Sequence, residues 1–169
     1  MPQTVFGQTV ALADVVVAML NNAAPGFCLP ITAVRRFARL TELKDLPKTG
    51  SPVAIDIFPG TDTSERDGVA PSFSDTYAIH VLLQQHVGKD ATSEGQISLL
   101  MQLRSQIAEF LMPRRYEAKA AVHPFTNIPV VHIGHGKEGV YDLVRLEELQ
   151  VFYAEMIVMF NAPGLGRKP

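Results

Sequence analysis

The sequence has little of what secreted domains and the common hydrolases usually show. It holds 169 residues and one cysteine, Cys28, which excludes an internal disulfide and therefore a disulfide-stapled secreted scaffold. It contains no G-x-S-x-G and no H-E-x-x-H motif, the signatures of many serine hydrolases and of zinc proteases. These absences favour a protein that is not an enzyme and binds no cofactor, and the lone thiol is compatible with a reducing compartment.

Strong charge of either sign is also missing. Fifteen Lys and Arg residues face seventeen Asp and Glu residues, which gives a net charge of −2 and no global attraction to nucleic acid or to an anionic membrane. No apolar run approaches the roughly 20 residues that span a bilayer, and residues 1–20 lack the basic region of a signal peptide. We therefore expect no membrane partner and no sequence-specific reading of DNA.

The chain does have enough apolar residues for a substantial core. Hydrophobic residues make up 47% of a length that fits one domain, 1–169. This composition leaves apolar surface for a partner, which supports assembly, although a well-filled core alone would account for it equally well.

A strand followed by a helix forms the centre of the predicted fold. Five of the six alternate residues from position 77 to 87 are apolar, namely Tyr77, Ile79, Val81, Leu83 and Val87, which is typical of a half-buried strand. Apolar residues then recur at helical spacing from Ile97 until Pro113 ends the pattern: Ile97, Leu100, Leu103, Ile107, Phe110 and Leu111. An amphipathic helix after a long strand is expected to lie on the sheet of that strand.

The other predicted elements complete one layer of strands and one of helices. A first helix is predicted over 8–22, although its valine run at 15–17 also suits a strand. Further strands are predicted at 31–40, 52–58, 130–133 and 150–161, short helical turns at 41–46 and 145–149, and a flexible tail over 162–169. The predicted fold class is α+β: a mainly antiparallel sheet of about four to five strands with two amphipathic helices packed on one face.

Two charged segments are the candidate interaction sites. Residues 60–74 are predicted to form a long loop between strands, and loops of this length inside a compact domain are often functional. Its charged residues Asp62, Glu65, Arg66 and Asp67 are candidate interface residues, as are Arg114 and Arg115 after the second helix. The loop has the acidity of a calcium site, but its glycine comes one position late for an EF-hand, so an ordinary solvated loop is the simpler interpretation.

The only histidine cluster does not complete a metal site. His132 and His135 lie near a glycine-rich turn, with His123 upstream, but no Cys or paired carboxylate stands at a familiar ligand spacing. We therefore predict no metal ligands and no catalytic or cofactor-binding residues. A small metal-dependent or ligand-binding enzyme using these three histidines is the alternative from a different functional class.

Three stretches together resemble a known family. They are the strand of residues 75–88, the helix of residues 99–111 and the segment 143–158, which contains the L-x-E-L-Q-V-F pattern of Leu146 to Phe152. With the strand of residues 55–60, the chain resembles the tail-terminator or head-tail joining proteins of the neck of tailed bacteriophages. The similarity lies in the order of elements and not in catalytic residues.

This resemblance implies a structural protein of the virion, made in the cytoplasm of the host bacterium. Such a subunit forms a homo-oligomer, commonly a hexameric ring, that caps the tail tube protein and joins it to the head-tail connector or stopper protein. DNA would pass through the bore without being read. Another neck protein, such as a stopper or head-completion protein, and a tail tube subunit are the alternatives within the same class.

Overall fold

The computed structural model describes residues 5–37, 43–67, 72–89, 93–112, 130–137 and 139–163. In chain order these residues form α1 (Val5–Ala23), β1 (Ile31–Arg35), β2 (Val53–Asp67), β3 (Ser72–His86), α2 (Ser93–Leu111), β4 (Val130–His135), α3 (Leu143–Leu149) and β5 (Val151–Pro163). Two 3-10 turns, Ala24–Gly26 and Leu43–Asp45, complete the set.

The five strands form one sheet in the order β1-β2-β3-β5-β4. Three of the four pairings are antiparallel, but β1 and β2 run parallel, with Ile31 opposite Val53. The α+β class is therefore confirmed, and the sheet is mixed where the sequence suggested antiparallel strands. The reason is the segment between β1 and β2, which is long enough to carry the chain back to the end of the sheet where β1 began.

The main core lies between one face of the sheet and the two long helices. Helix α1 contributes Leu12, Val16 and Leu20, and α2 contributes Leu100, Leu103, Ile107 and Leu111. Alternate residues of the three central strands meet them, namely Val53, Ile55 and Ile57, then Tyr77, Ile79, Val81 and Leu83, then Phe152, Ala154, Met156, Val158 and Phe160. The expectation of two helices on one face is confirmed, because these side chains form a single cluster.

Both faces of β3 are buried, which differs from the half-buried strand predicted for it. Gln84 donates from its amide to Asp56 Oδ2 at 3.0 Å, and Gln85 donates to the carbonyl oxygen of Ser51 at 3.1 Å. Leu82 packs in a second, smaller cluster with Leu46 on the face away from the helices. Buried amides are tolerated here because their polar atoms have hydrogen-bond partners.

Helix α1, together with the 3-10 turn that follows it, is long and apolar enough to cross a bilayer by length and composition, over the 18 residues Thr9–Gly26 with a mean hydropathy of 1.2. A core helix passes the same test, and Leu12, Val16 and Leu20 are buried in the main core. Its Asp14 forms an ion pair with Arg35 of β1. The contacts of α1 in this structure are thus those of a helix packed on a sheet.

Helix α3 is fixed to the outer edge of β5. Asp142 caps the helix by accepting from the N–H of Arg145 at 3.0 Å, and its own N–H donates to the carbonyl oxygen of Tyr153 at 2.8 Å. The Arg145 guanidinium lies 3.9 Å from the centre of the Tyr153 ring. The helix ends at Gln150, whose φ of 55° is the left-handed conformation common at helix ends.

Candidate functional site

The segment predicted to be a loop over 60–74 is paired strand over its described residues, 60–67 and 72–74, so that prediction is wrong there. Strand β2 continues through Asp67 and β3 begins at Ser72, and the two stay paired over this length. Asp62 stands opposite Tyr77, and the other three candidate residues are in register with Ser74, Phe73 and Ser72, in the order Glu65, Arg66 and Asp67. The four residues therefore lie along one ordered strand.

Strand β5 adds a third strand to this pair. Its last residues pair with β3 up to Ser74 opposite Pro163, so β5 also runs two residues into the segment predicted to be a tail. We call residues 61–67, 72–77 and 160–163 the arm. Strands β2 and β3 have 15 residues each, a length of about 50 Å, whereas strands of globular proteins usually have about 3–10 residues.

A β-bulge marks the root of the arm. The pairing of β2 with β3 shifts between Pro59, which stands opposite Ile79, and Asp62. A Cβ atom on Gly60 would lie 2.7 Å from the carbonyl oxygen of Ala78 and 2.8 Å from the ring of His80. Only glycine fits this close approach, and bulges bend a strand and increase its twist. The bulge therefore sets the direction in which the arm leaves the sheet.

A side-chain hydrogen bond joins β3 and β5 just below the bulge. His80 Nδ1 donates to Glu155 Oε1 at 2.7 Å, since a carboxylate can only accept. Glu155 is buried, while about a third of the His80 side chain is exposed. A second glycine, Gly136, lies against Glu155, because its Cβ would be 2.8 Å from Glu155 Cβ. Two glycines thus enclose a polar pair that fixes β3 to β5 at the root.

A further polar network lies on the same face of the sheet, beside this pair. Asp56 is buried and accepts from Arg36 Nε at 2.7 Å and from Gln84 at 3.0 Å. Arg36 follows β1 and is partly exposed, so its charge stabilises a carboxylate that would otherwise be costly to bury. The network connects β1 and β3 to β2 and leaves no buried carboxylate oxygen of Asp56 without a donor.

The other candidate residues are placed only in part. Arg114, Arg115 and His123 lie outside the described residues. His132 and His135 lie on β4, and no group of three His, Cys, Asp or Glu side chains suited to a metal occurs in the described ranges.

His135 has a different partner, Arg104 of α2. Arg104 Nη2 donates to His135 Nδ1 at 2.5 Å, which requires that ring nitrogen to be unprotonated because a guanidinium has only donors. Arg104 is buried, and its Nε has no partner among the residues that the structure describes. Burial lowers the pKa of Arg104 because it disfavours the charged form.

The sequence did not predict the residues that stabilise the root of the arm, His80, Glu155 and Gly60. His80 and Glu155 stand 75 positions apart, and only the pairing of β3 with β5 brings them together. Gly60 follows Pro59, and the strand predicted from the sequence ends at residue 58, just before this pair. A usable signal was the β-branched Thr61 and Thr63 beyond Gly60, which favour continued strand.

No protein-family model matches the chain, and no curated protein matches it.

Proposed function

We propose that this chain is the tail-terminator subunit of a tailed bacteriophage. In this function it forms a homo-oligomeric ring, commonly of six copies, that caps the tail tube and joins it to the head-tail connector or stopper. DNA passes through the bore of the ring without being read. The protein acts through its geometry and not through a reaction, and its place is the neck of the virion.

The observation that carries the proposal is the three-stranded arm. An arm that prolongs the sheet gives a subunit a surface for its neighbours or for the tube that a compact domain lacks. Residues Asp62, Glu65, Arg66 and Asp67 lie on its first strand, and the bulge and the His80–Glu155 pair fix its root. A rigid root preserves the position of the arm in every copy of a symmetric ring.

Arg114 and Arg115 are proposed as a second contact, motivated by their charge in the sequence. Arginine at an interface forms fork-like hydrogen bonds with carboxylates. Changing both residues to glutamate should weaken ring formation or tail joining. Normal assembly and normal joining by that variant would remove these two residues from the proposal.

The first experiment is light scattering with negative-stain imaging of the purified protein. Rings are expected, either free in solution or on added tail tubes. A protein that stays monomeric and binds no tube would contradict the proposal. Binding to filled heads without binding to tail tubes would favour a stopper instead.

A second experiment tests the arm itself. The triple variant Asp62→Lys, Glu65→Lys and Asp67→Lys should form particles that fail to join tails to heads in an extract lacking the native protein. The matched control reverses two exposed carboxylates of α2, Glu94→Lys and Glu109→Lys, and should join normally. Equal joining by the two variants would remove the arm charges from the proposal.

A further inference from the structure

We infer that copies of this chain join head to tail, the surface at β1 of one copy docking on the outer surface of α3 in the next copy. The β1 surface consists of Val34, Arg35, Arg36 and Phe37, and the α3 surface of Leu143, Val144, Glu147 and Glu148. This inference rests on the proposed function, because it supplies the repeating interface of the ring.

The β1 surface runs along the edge strand and takes side chains from both faces of the sheet, Arg35 from the face that carries α1 and Arg36 from the opposite face, so it combines exposed apolar side chains with two cations. Phe37 is 66% exposed and Val34 is 40% exposed. The Arg35 guanidinium lies 4.7 Å from the centre of the Phe37 ring, and Asp14 of α1 binds that guanidinium through Nε. Phe37 is therefore held in place before any partner arrives, and aromatic residues and arginine are the types enriched at protein interfaces.

The cations of this surface keep donors for a partner. The ion pairs of Arg35 with Asp14 and of Arg36 with Asp56 both use Nε. A guanidinium has five N–H groups, so the terminal nitrogens can still bind a carboxylate from another chain. Side chains of Arg35 and Arg36 are about a third exposed.

The α3 surface has the complementary chemistry. Leu143 is 53% and Val144 is 59% exposed, at the start of a seven-residue helix. Glu147 and Glu148 follow one turn later; both are exposed, and neither has an ion pair within the part of the chain that the structure describes. Residues i and i+4 share one side of a helix, so each apolar residue lies beside a carboxylate.

The β1 surface lies at one edge of the sheet, and the α3 surface lies at the opposite side, on the part of β5 that extends past the end of β4, at a similar level. One cross-strand row runs through Val34, Asp56, Leu82 and Glu155. Asp142, which starts α3, bonds to β5 at Tyr153, two residues from the end of that row. A neighbour placed beside the molecule along this row would therefore bring α3 of one copy to β1 of the other.

Different surfaces in contact produce a head-to-tail interface. Each copy then keeps one unused β1 surface and one unused α3 surface, so copies add until a rotation closes the ring. A contact between identical surfaces would instead stop at a dimer. Only the first arrangement agrees with a ring of six copies.

The test uses one variant for each surface and then a mixture. Variant A carries Leu143→Ser and Val144→Ser, and variant B carries Val34→Ser and Phe37→Ser. All four side chains are exposed, so thermal unfolding of both variants should match that of the wild-type protein. Each variant alone should lose the ring and stay monomeric by light scattering.

The mixture is the diagnostic step. One intact β1 surface and one intact α3 surface remain between A and B, so equal amounts should form a one-to-one dimer and nothing larger. The charge of the interface is tested separately with Glu147→Lys and Glu148→Lys, which should dissociate the ring, whereas Glu94→Lys and Glu109→Lys should not.

Each alternative result is decisive. The variants are compared under the conditions that give wild-type rings, with tail tubes added if the wild-type protein needs them. Rings formed there by A or B alone, or an A and B mixture that forms no dimer there, would overturn this interface while leaving the proposed function standing on the wild-type ring. Wild-type protein that forms no ring in solution or on tail tubes would overturn both.

Discussion

Asn21, in the last turn of α1, binds both backbone groups of Ala33 at the edge of the sheet. Its Nδ2 donates to the carbonyl oxygen of Ala33 and its Oδ1 accepts from the N–H of Ala33, each at 2.9 Å. Strand β1 is an edge strand, and an unpaired edge is a site where another strand can add. The amide closes this edge at its centre, so a partner at β1 has to bind through side chains.

Asn21→Ala should lower the free energy of unfolding by about 1–2 kcal/mol relative to Asn22→Ala, because two partly buried hydrogen bonds are lost. Asn22 is the exposed neighbour in the same helix, and the two substitutions share the same gain in helix propensity. Urea unfolding of both variants measures the difference. Equal stability would mean that water replaces the amide at no cost.

The two root glycines should not accept a side chain. Gly60→Ala and Gly136→Ala should each lower the free energy of unfolding by about 1–3 kcal/mol, because the new Cβ would overlap Ala78 or Glu155. Gly95→Ala is the control, since nothing lies within 4 Å of its Cβ position, and it should stabilise α2 by about 0.5–1 kcal/mol. Denaturant midpoints of the three variants provide the comparison; a Gly60→Ala midpoint at or above the wild-type value would refute the close packing at the bulge.

Arg104 should be dispensable for stability. Arg104→Met removes a buried cation whose one described side-chain partner is His135, so the free energy of unfolding should stay level or rise by about 1–2 kcal/mol. Arg145→Met should instead lower it by about 1 kcal/mol, because Arg145 has both Asp142 and the Tyr153 ring as partners. If Arg104→Met proved the more damaging of the two, Arg104 would have an anionic partner beyond the described residues.

Cys28 should react slowly with alkylating reagents. Burial raises the pKa of its thiol, an effect opposed by the backbone N–H groups of Cys28 and Leu29. In the folded protein the Cys28 thiol therefore keeps its proton at a pH where the same thiol in the unfolded chain has lost it. Stability from this effect is complete below the ordinary thiol pKa and is lost as pH rises through the raised value.

The pKa of the Cys28 thiol can be compared in folded and urea-unfolded protein. Both are labelled with iodoacetamide across a pH series, and the labelled fraction is measured by mass spectrometry. Because Cys28 is the one cysteine, each added label reports on it alone. The labelling rate of the folded protein should rise at a higher pH than the labelling rate of the unfolded protein. Superimposed curves would contradict the raised pKa.

Local patterns in the sequence predicted the strands and helices that bury one side against the core, because such elements repeat apolar residues at a fixed period. The alternation from Tyr77 to Leu83 and the helical spacing from Ile97 to Leu111 correspond to β3 and α2, because a one-sided core imposes those periods. The pattern fails at Gln85, which is buried in a network with Gln96 and the carbonyl oxygen of Ser51. Polarity alone does not reveal that a polar group has a partner.

The arm was missed for a related reason. Charged residues between Gly60 and Ser72 have the composition of a loop, and their strand structure depends on pairing with β5 from the far end of the described chain. The parallel contact of β1 with β2 depends on a crossover, which leaves no periodicity in the sequence. Elements defined by distant partners therefore need the tertiary structure to be recognised.

The pairing of β5 with β3 also determines when the arm can be completed during synthesis of the chain. Two strands of the arm, β2 and β3, are translated first. The third strand, β5, follows only after α2, β4 and α3. The His80–Glu155 pair at the root forms only after that strand arrives. An unfinished chain thus lacks both the complete arm and its anchor until β5 has been translated.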